Sequence, residues 1–270
     1  MDDLKRGLAP VSKNAWTEIE EAAATTLKTV LAARQVVDFK GPLGYHHDAV
    51  ATGRVRQIDE PLADDVSARQ RVVLPMVELR VPFEIEIDEL ENLDRGAEDA
   101  DLDPVVAAAR TIALAEDRLV FQGYEAAGIH GVMTSVASSA GDLPDDPAKL
   151  PESIAEALEK LRLEGVQGPF AMVLPVDLYI RLQAAVSDTG RRVLDHARHL
   201  LDGPVVPSRA VEGGLILSRR GGDFELYVGR DFAIGYSSHD ARHVKLYLEE
   251  TLSFRAIGDE AAIALPLAKS

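Results

Sequence analysis

The chain of 270 residues contains no cysteine. Disulfides, thiolate metal sites and cysteine nucleophiles are therefore excluded, and stability has to come from packing, hydrogen bonds and association. It also lacks any run approaching the roughly 18 to 20 apolar residues of a membrane helix, because Glu, Arg or Asp interrupts even the greasiest segments. Basic residues are in deficit, with 29 Lys and Arg against 45 Asp and Glu for a formal charge of -16. Such a surface repels phosphate backbones, and no basic arm or aromatic-studded basic patch offsets it, so neither a nucleic-acid nor a membrane partner is expected. The opening residues Asp2, Asp3, Lys5 and Arg6 lead into no apolar segment or small-residue cleavage site, which points to a cytoplasmic location. No repeat with a period of roughly 20 to 50 residues occurs, which excludes a solenoid.

What is present is an ordinary globular composition, 46% apolar, enough to bury a core in one large domain or two subdomains. From Ser12 to Arg34, Trp16, Ile19, Ala23, Leu27, Val30 and Leu31 recur at spacings of three and four, predicting an amphipathic helix capped by Ser12. Gly41, Pro42, Leu43 and Gly44 form a turn that leads into a long, charged excursion over residues 47–75. A stretch of that length is uncommon inside a compact domain unless it binds something or is disordered, and a partner subunit is one candidate. Val81, Phe83, Ile85 and Ile87 alternate with polar residues up to Asp88, predicting a strand with one wet face, and Pro82 marks an edge or a strand start.

A second, longer helix is announced by Asp103 as N-cap and Pro104 at its first position, and it runs down to Gly123 and Gly128. After the linker Gly141 to Pro151, a helix through Ile154, Leu158 and Leu161 stops at Gly165. Phe170 to Leu174 is a buried strand, and Pro175 opens a further helix. Leu215 to Leu217 and Phe224 to Val228, joined through Gly221 and Gly222, read as a hairpin. Val244 to Ala256 reads as the last strand. The fold class is α+β.

Catalytic templates come back empty. His239, Asp240 and His243 have the four-residue spacing of a zinc-protease helix, but they follow Gly235 and two serines and precede a strand, which predicts a turn. His196 and His199 lie among arginines, and His46 and His47 are adjacent and point to opposite faces in a strand. No phosphate loop, dinucleotide fingerprint or Gly-x-Ser-x-Gly elbow exists. Glu116 and Asp117 sit in the long helix with Arg118 beside them, which reads as ion pairing. No catalytic residue, metal or cofactor is implied.

A scattered set of motifs decides the matter. Leu4, Lys5, Arg6, Ala9 and Pro10 are followed by Trp16, Glu18, Ile19, then Arg34, Val37 and Asp38, then Gly41, Pro42 and Gly44. Further on come Glu89 to Gly96, then Glu116, Asp117, Phe121 and Gly123, then Gly128 to Gly131 and Gly165 to Pro169. The densest block is Ser218 to Phe224 with Gly229, Asp231, Ile234, Gly235 and Tyr236, closed by Glu250, Thr251 and Phe254. In order and spacing, end to end, this resembles the encapsulin shell proteins, the linocin-type bacteriocin family.

The resemblance implies the tailed-phage major capsid fold of the Hong Kong 97 type. It divides the chain into an N-terminal helix and start of a peripheral domain (1–46), an extended loop (47–75), a peripheral domain with a spine helix (76–134), an axial domain (135–222) and returning peripheral strands (223–270). It implies a self-assembling icosahedral shell, of the smallest sixty-subunit class. Its cargo, such as a dye-decolourising peroxidase or a ferritin-like protein, carries a C-terminal targeting peptide. The matching peptide-binding positions are Leu27, Leu31, Arg34 and Asp38, with Ile234, Tyr236 and Glu250 opposite. Leu27 stands where the family often has an aromatic residue. Ser187, Asp188, Thr189 and Gly190 fall where the family lines its fivefold pore, and a ring of Asp188 carboxylates favours cations. The alternatives are a DNA-packaging phage capsid protein, opposed by the acidic charge, and a hydrolase, opposed by the missing catalytic set.

Overall fold

The computed structural model describes residues 3–136, 139–144, 146–186 and 190–267. Its first helix, α1 (Lys13–Val30), is capped as expected: the Ser12 hydroxyl accepts the Ala15 amide at 3.0 Å. The stripe Ile19, Ala23 and Leu27 is buried. The helix stops at Val30, not Arg34. Leu31 leaves helical geometry, and the next two amides, Ala32 and Ala33, are taken by the Asp117 carboxylate at 2.8 to 3.2 Å. An acceptor from another helix thus ends α1 and sets Arg34 on a separate 3-10 turn, Ala33–Gln35.

After β1 (Asp38–Lys40), strands β2 (Ala49–Ile58) and β3 (Ala68–Pro75) pair only with each other, as an antiparallel ribbon that is exposed over most of its length. β4 (Val77–Glu86) keeps the expected alternation, with Phe83 and Ile85 buried. It pairs with one neighbour alone, so Pro82 does lie on an edge strand. The expected strand to Asp88 is two residues too long, because Asp88 and Glu89 stand in the first turn of α2 (Ile87–Asp94), where carboxylates suit the helix dipole.

The long helix α3 (Asp103–Gln122) has Leu102 as its cap, with Asp103 already helical. Asp101 does the capping work instead, its carboxylate accepting the Asp103 amide at 2.9 Å. Gly123, at φ 84°, ends the helix, and Gly128 instead caps a separate 3-10 turn, Glu125–Ala127. A two-residue pair, β5 (Gly123–Tyr124) with β6 (Ile129–His130), and the short α4 (Val132–Ser135) follow. Then come α5 (Leu150–Leu163), β7 (Phe170–Pro175), α6 (Val176–Ala184), α7 (Val193–Leu201) and β8 (Val205–Ser208). The chain closes with β9 (Gly214–Ser218), β10 (Phe224–Val228), β11 (Ala233–His239), β12 (His243–Ala256) and β13 (Ala262–Leu265).

The expected hairpin of β9 and β10 does not form. β9 is central in a sheet ordered β13-β9-β7-β8, while β10 lies in a separate sheet ordered β1-β10-β12-β11 with β4 on the other side of β12. All five residues of β9 are buried and both its edges are occupied, so no edge is left for β10. Gly221 and Gly222 do take positive φ, at 89° and 86°, but they carry the chain from one sheet to the other. Nor is β12 the last strand, since β13 follows it onto the edge beside β9.

Two apolar cores result. One joins α1, α2, β4, β11 and the first half of β12 to the N-terminal part of α3 through Val105 and Ile112. The other gathers α5, α7, β7, β9 and β13 around the C-terminal part of α3 through Leu119, Val120 and Phe121. A helix of 20 residues, about 30 Å long, therefore runs through both.

Candidate functional site

Between α1 and the entry to β11 lies an open groove of about 440 Å³. Helix spacing brings Ala23, Ala24 and Leu27 to one wall, Phe232, Ala233 and Ile234 form the other, and Leu248 of β12 contributes to the lining. Arg6 and Glu20, bridged at 2.6 Å, stand on the rim, and Arg6 stacks over Trp16 at 4.1 Å. Small residues on α1 and a leucine at position 27 leave open space where a larger side chain would fill it.

Beside the groove is a buried ionic cluster centred on Arg34. Its Nε and Nη2 donate to the Glu116 carboxylate at 2.7 to 3.0 Å, and Nη2 also meets Glu250 at 2.5 Å and Asp231 at 2.9 Å. The guanidinium lies against the rings of Phe232, at 4.6 Å, and Phe39, at 4.9 Å. Glu116 and Glu250 are fully buried. Burial, reinforced by the neighbouring Glu116 carboxylate, pushes Glu250 well above the usual carboxylate range even though Arg34 opposes the shift. The acids expected to pair with Arg118 thus find other partners: Glu116 takes Arg34, and Asp117 takes the Ala32 and Ala33 amides and the Ser208 hydroxyl.

The structure brings Leu27 and Ile234 together on facing walls of the groove. Leu31 and Tyr236 pack, partly buried, against the same core. Arg34 and Glu250 bond each other, so the base and acid expected to flank a bound peptide neutralise one another next to the groove. Asp38 stands elsewhere: on β1 it accepts the Gly222 amide at 2.6 Å. Phe232, Ala23, Ala24 and the rim pair Arg6 and Glu20 were not singled out from sequence as wall residues, and only the three- and four-residue spacing of Glu20, Ala23 and Leu27 signalled a shared face. Of the expected pore residues, Ser187, Asp188 and Thr189 lie outside the described residues. Gly190 is exposed, at φ 77°. His239 and His243 sit on the two strands of a tight hairpin, β11 and β12, and Asp240 accepts the Arg242 and His243 amides in the turn between them.

A spine helix through two cores, an extended ribbon and a returning sheet define a capsid-type subunit. The capsid of Myoviridae phage XM1 is similar with a TM-score of 0.57 at 12% identity, covering 86% of this chain and 89% of that one. The virus-like particle from Pyrococcus furiosus is similar with a TM-score of 0.66 at 15% identity, covering 93% and 98%. The family described as "Encapsulating protein for peroxidase" (Linocin_M18) matches residues 1–253, and the chain belongs to that family. It is 50% identical over 270 residues to the type 1 encapsulin shell protein of Rhodospirillum rubrum, covering 98% of this chain and 96% of the relative. To that of Mycobacterium tuberculosis it is 43% identical over 265 residues, covering 98% and 99%.

Proposed function

We propose that the chain is the self-assembling shell protein of an icosahedral nanocompartment, acting structurally and not as an enzyme, in the cytoplasm. Near full-length similarity to named shell proteins on a capsid-type fold carries this reading. Sixty copies form the smallest closed class, consistent with a chain that adds little to the basic fold. The ribbon within residues 47–75 reaches a neighbouring copy, residues 76–134 and 223–270 form the peripheral domain behind the N-terminal segment 1–46, and 135–222 form the axial domain with Ser187 to Gly190 at a pore.

The groove between α1 and β11 holds the C-terminal peptide of a cargo protein, with Leu27, Ile234, Leu31 and Tyr236 as the apolar surface. A dye-decolourising peroxidase or a ferritin-like protein is the cargo class proposed. Arg34 and Glu250 support the groove through internal bonds, while Asp38 holds the Gly222 turn away from it. A DNA-packaging capsid protein of the same fold is disfavoured by the charge of -16.

Negative-stain microscopy of the purified chain expressed alone is the test. Uniform hollow particles free of nucleic acid are expected. Monomers or small oligomers across a range of salt and pH would overturn the shell, and packaged DNA would return the phage reading.

A further inference from the structure

β11 is the terminal strand of its sheet, and part of its outer edge is already occupied. The Tyr236 amide donates to the Leu4 carbonyl at 2.9 Å, so the N-terminal segment lies along that edge. It is pinned on both sides of the contact. Asp3 forms an ion pair with Arg230, and Arg6 bridges to Glu20 while stacking on Trp16. Because the Tyr236 amide points away from β12, its position is one where β11 and β12 do not exchange hydrogen bonds. In an antiparallel ladder such positions recur every second residue, so the Ile234 N–H and C=O face outward as well. No described strand pairs with that edge. Arg6, two residues on from Leu4, lines the groove together with Ile234, so the unpaired edge and the groove adjoin.

We infer that the groove takes its ligand as an added strand on β11 at Ile234, in line with the Leu4 segment, and that this segment is a stop that keeps the ligand from running on to Tyr236. The inference rests on the groove being the peptide site. The ligand it fits is an extended peptide with apolar side chains at alternate positions, one set packing against Leu27 and Leu248 while the main chain bonds Ile234. A helical peptide could not use the Ile234 edge. Leu4, Arg6 and Asp3 are then positioning residues that set register, while the apolar walls supply most of the affinity.

Assembled shells and the fluorescein-labelled peptide Lys-Leu-Ser-Leu-Ser-Leu-Ser provide the test, read by fluorescence anisotropy, with particle integrity checked by microscopy. Single N-methylation, which removes one main-chain donor, is moved along the peptide. Methylation at the one position whose donor meets the Ile234 carbonyl is expected to weaken binding about tenfold, near the upper worth of a hydrogen bond, and at the other positions to leave it nearly unchanged. The double variant Asp3→Ala, Arg6→Ala frees the Tyr236 edge, so a probe two residues longer should bind it more tightly than it binds the parent shell. Loss of the peptide in Leu27→Asp combined with indifference to methyl position overturns the added strand and leaves the groove standing. No binding to parent shells, or binding that survives Leu27→Asp, overturns the groove itself.

Discussion

Three buried carboxyl groups, Glu116, Asp117 and Glu250, gather where α1, α3 and β12 meet, and each is held differently. Arg34 is the only cation bonded to Glu116 and Glu250 among the described contacts. Arg34→Ala therefore leaves two buried acids without a counter-charge and is expected to cost about 3 to 5 kcal/mol, read as loss of soluble assembled protein. Glu250→Gln should be milder, because burial and the neighbouring Glu116 already push this carboxyl well above its ordinary range and the amide oxygen can still accept from Arg34. Similar losses for the two variants would show that the Glu250 carboxylate matters to the cluster as much as Arg34 does. At Asp117 burial outweighs the donors Ala33, Ala32 and Ser208 and raises the pKa from 3.8 to about 7. Between about pH 4 and pH 7 the folded chain then holds a proton that the unfolded chain has released, so stability falls as pH rises through that window, by up to about 4 kcal/mol. Asp117→Asn keeps an acceptor for the two amides and cannot titrate. Denaturant unfolding at pH 4.5 and 7 should show this slope in the parent and not in the variant.

At the scale of elements, the tightest constraint is the junction after α3. A Cβ on Gly131 would lie 2.2 Å from the Gly123 nitrogen and 2.6 Å from the Gln122 carbonyl carbon, both backbone atoms. Gly131→Ala must force β5 and β6 apart and should cost about 3 kcal/mol or more. Gly128, at φ 69° with open space around it, should lose only about 1 to 2 kcal/mol on the same change. Equal thermal shifts for the pair would contradict this account. Elements governed by local chemistry were legible from sequence: Ser12 capped α1, Gly123 and Gly165 followed their helices, and Pro82 marked an edge. Elements governed by distant partners were not. The end of α1 depends on Asp117, more than 80 residues away in sequence, and the separation of β9 from β10 depends on β7 and β13 occupying both edges of β9. For the groove, Leu27 was legible in the apolar period of α1, whereas Ile234 came only through the family resemblance. The internal commitment of Arg34 to Glu116 and Asp231, and the placement of Asp38 against Gly222, are tertiary facts with no local signature.

For the whole molecule, the ribbon sets the strongest demand. Among the described residues β2 and β3 have no other strand beside them, and an isolated two-stranded hairpin is marginally stable in water. This one also leaves Val55, Ile58, Leu62, Val66, Val72 and Val73 exposed, Leu62 at 90%. An apolar surface of that extent on a separate arm calls for a partner, and in a closed symmetric shell the partner is another copy of the chain. Neither Val55 nor Val73 belongs to either core, so Val55→Asp with Val73→Asp should leave the subunit folded while placing two desolvated carboxylates in the contact between copies. The expected outcome is a chain with the parent's circular dichroism that runs as a monomer or small oligomer by light scattering and forms no shells under the microscope. Shells of parent size and stability from this variant would mean that the ribbon is not an interface, and that assembly is carried by the faces around α3 and the two sheets instead.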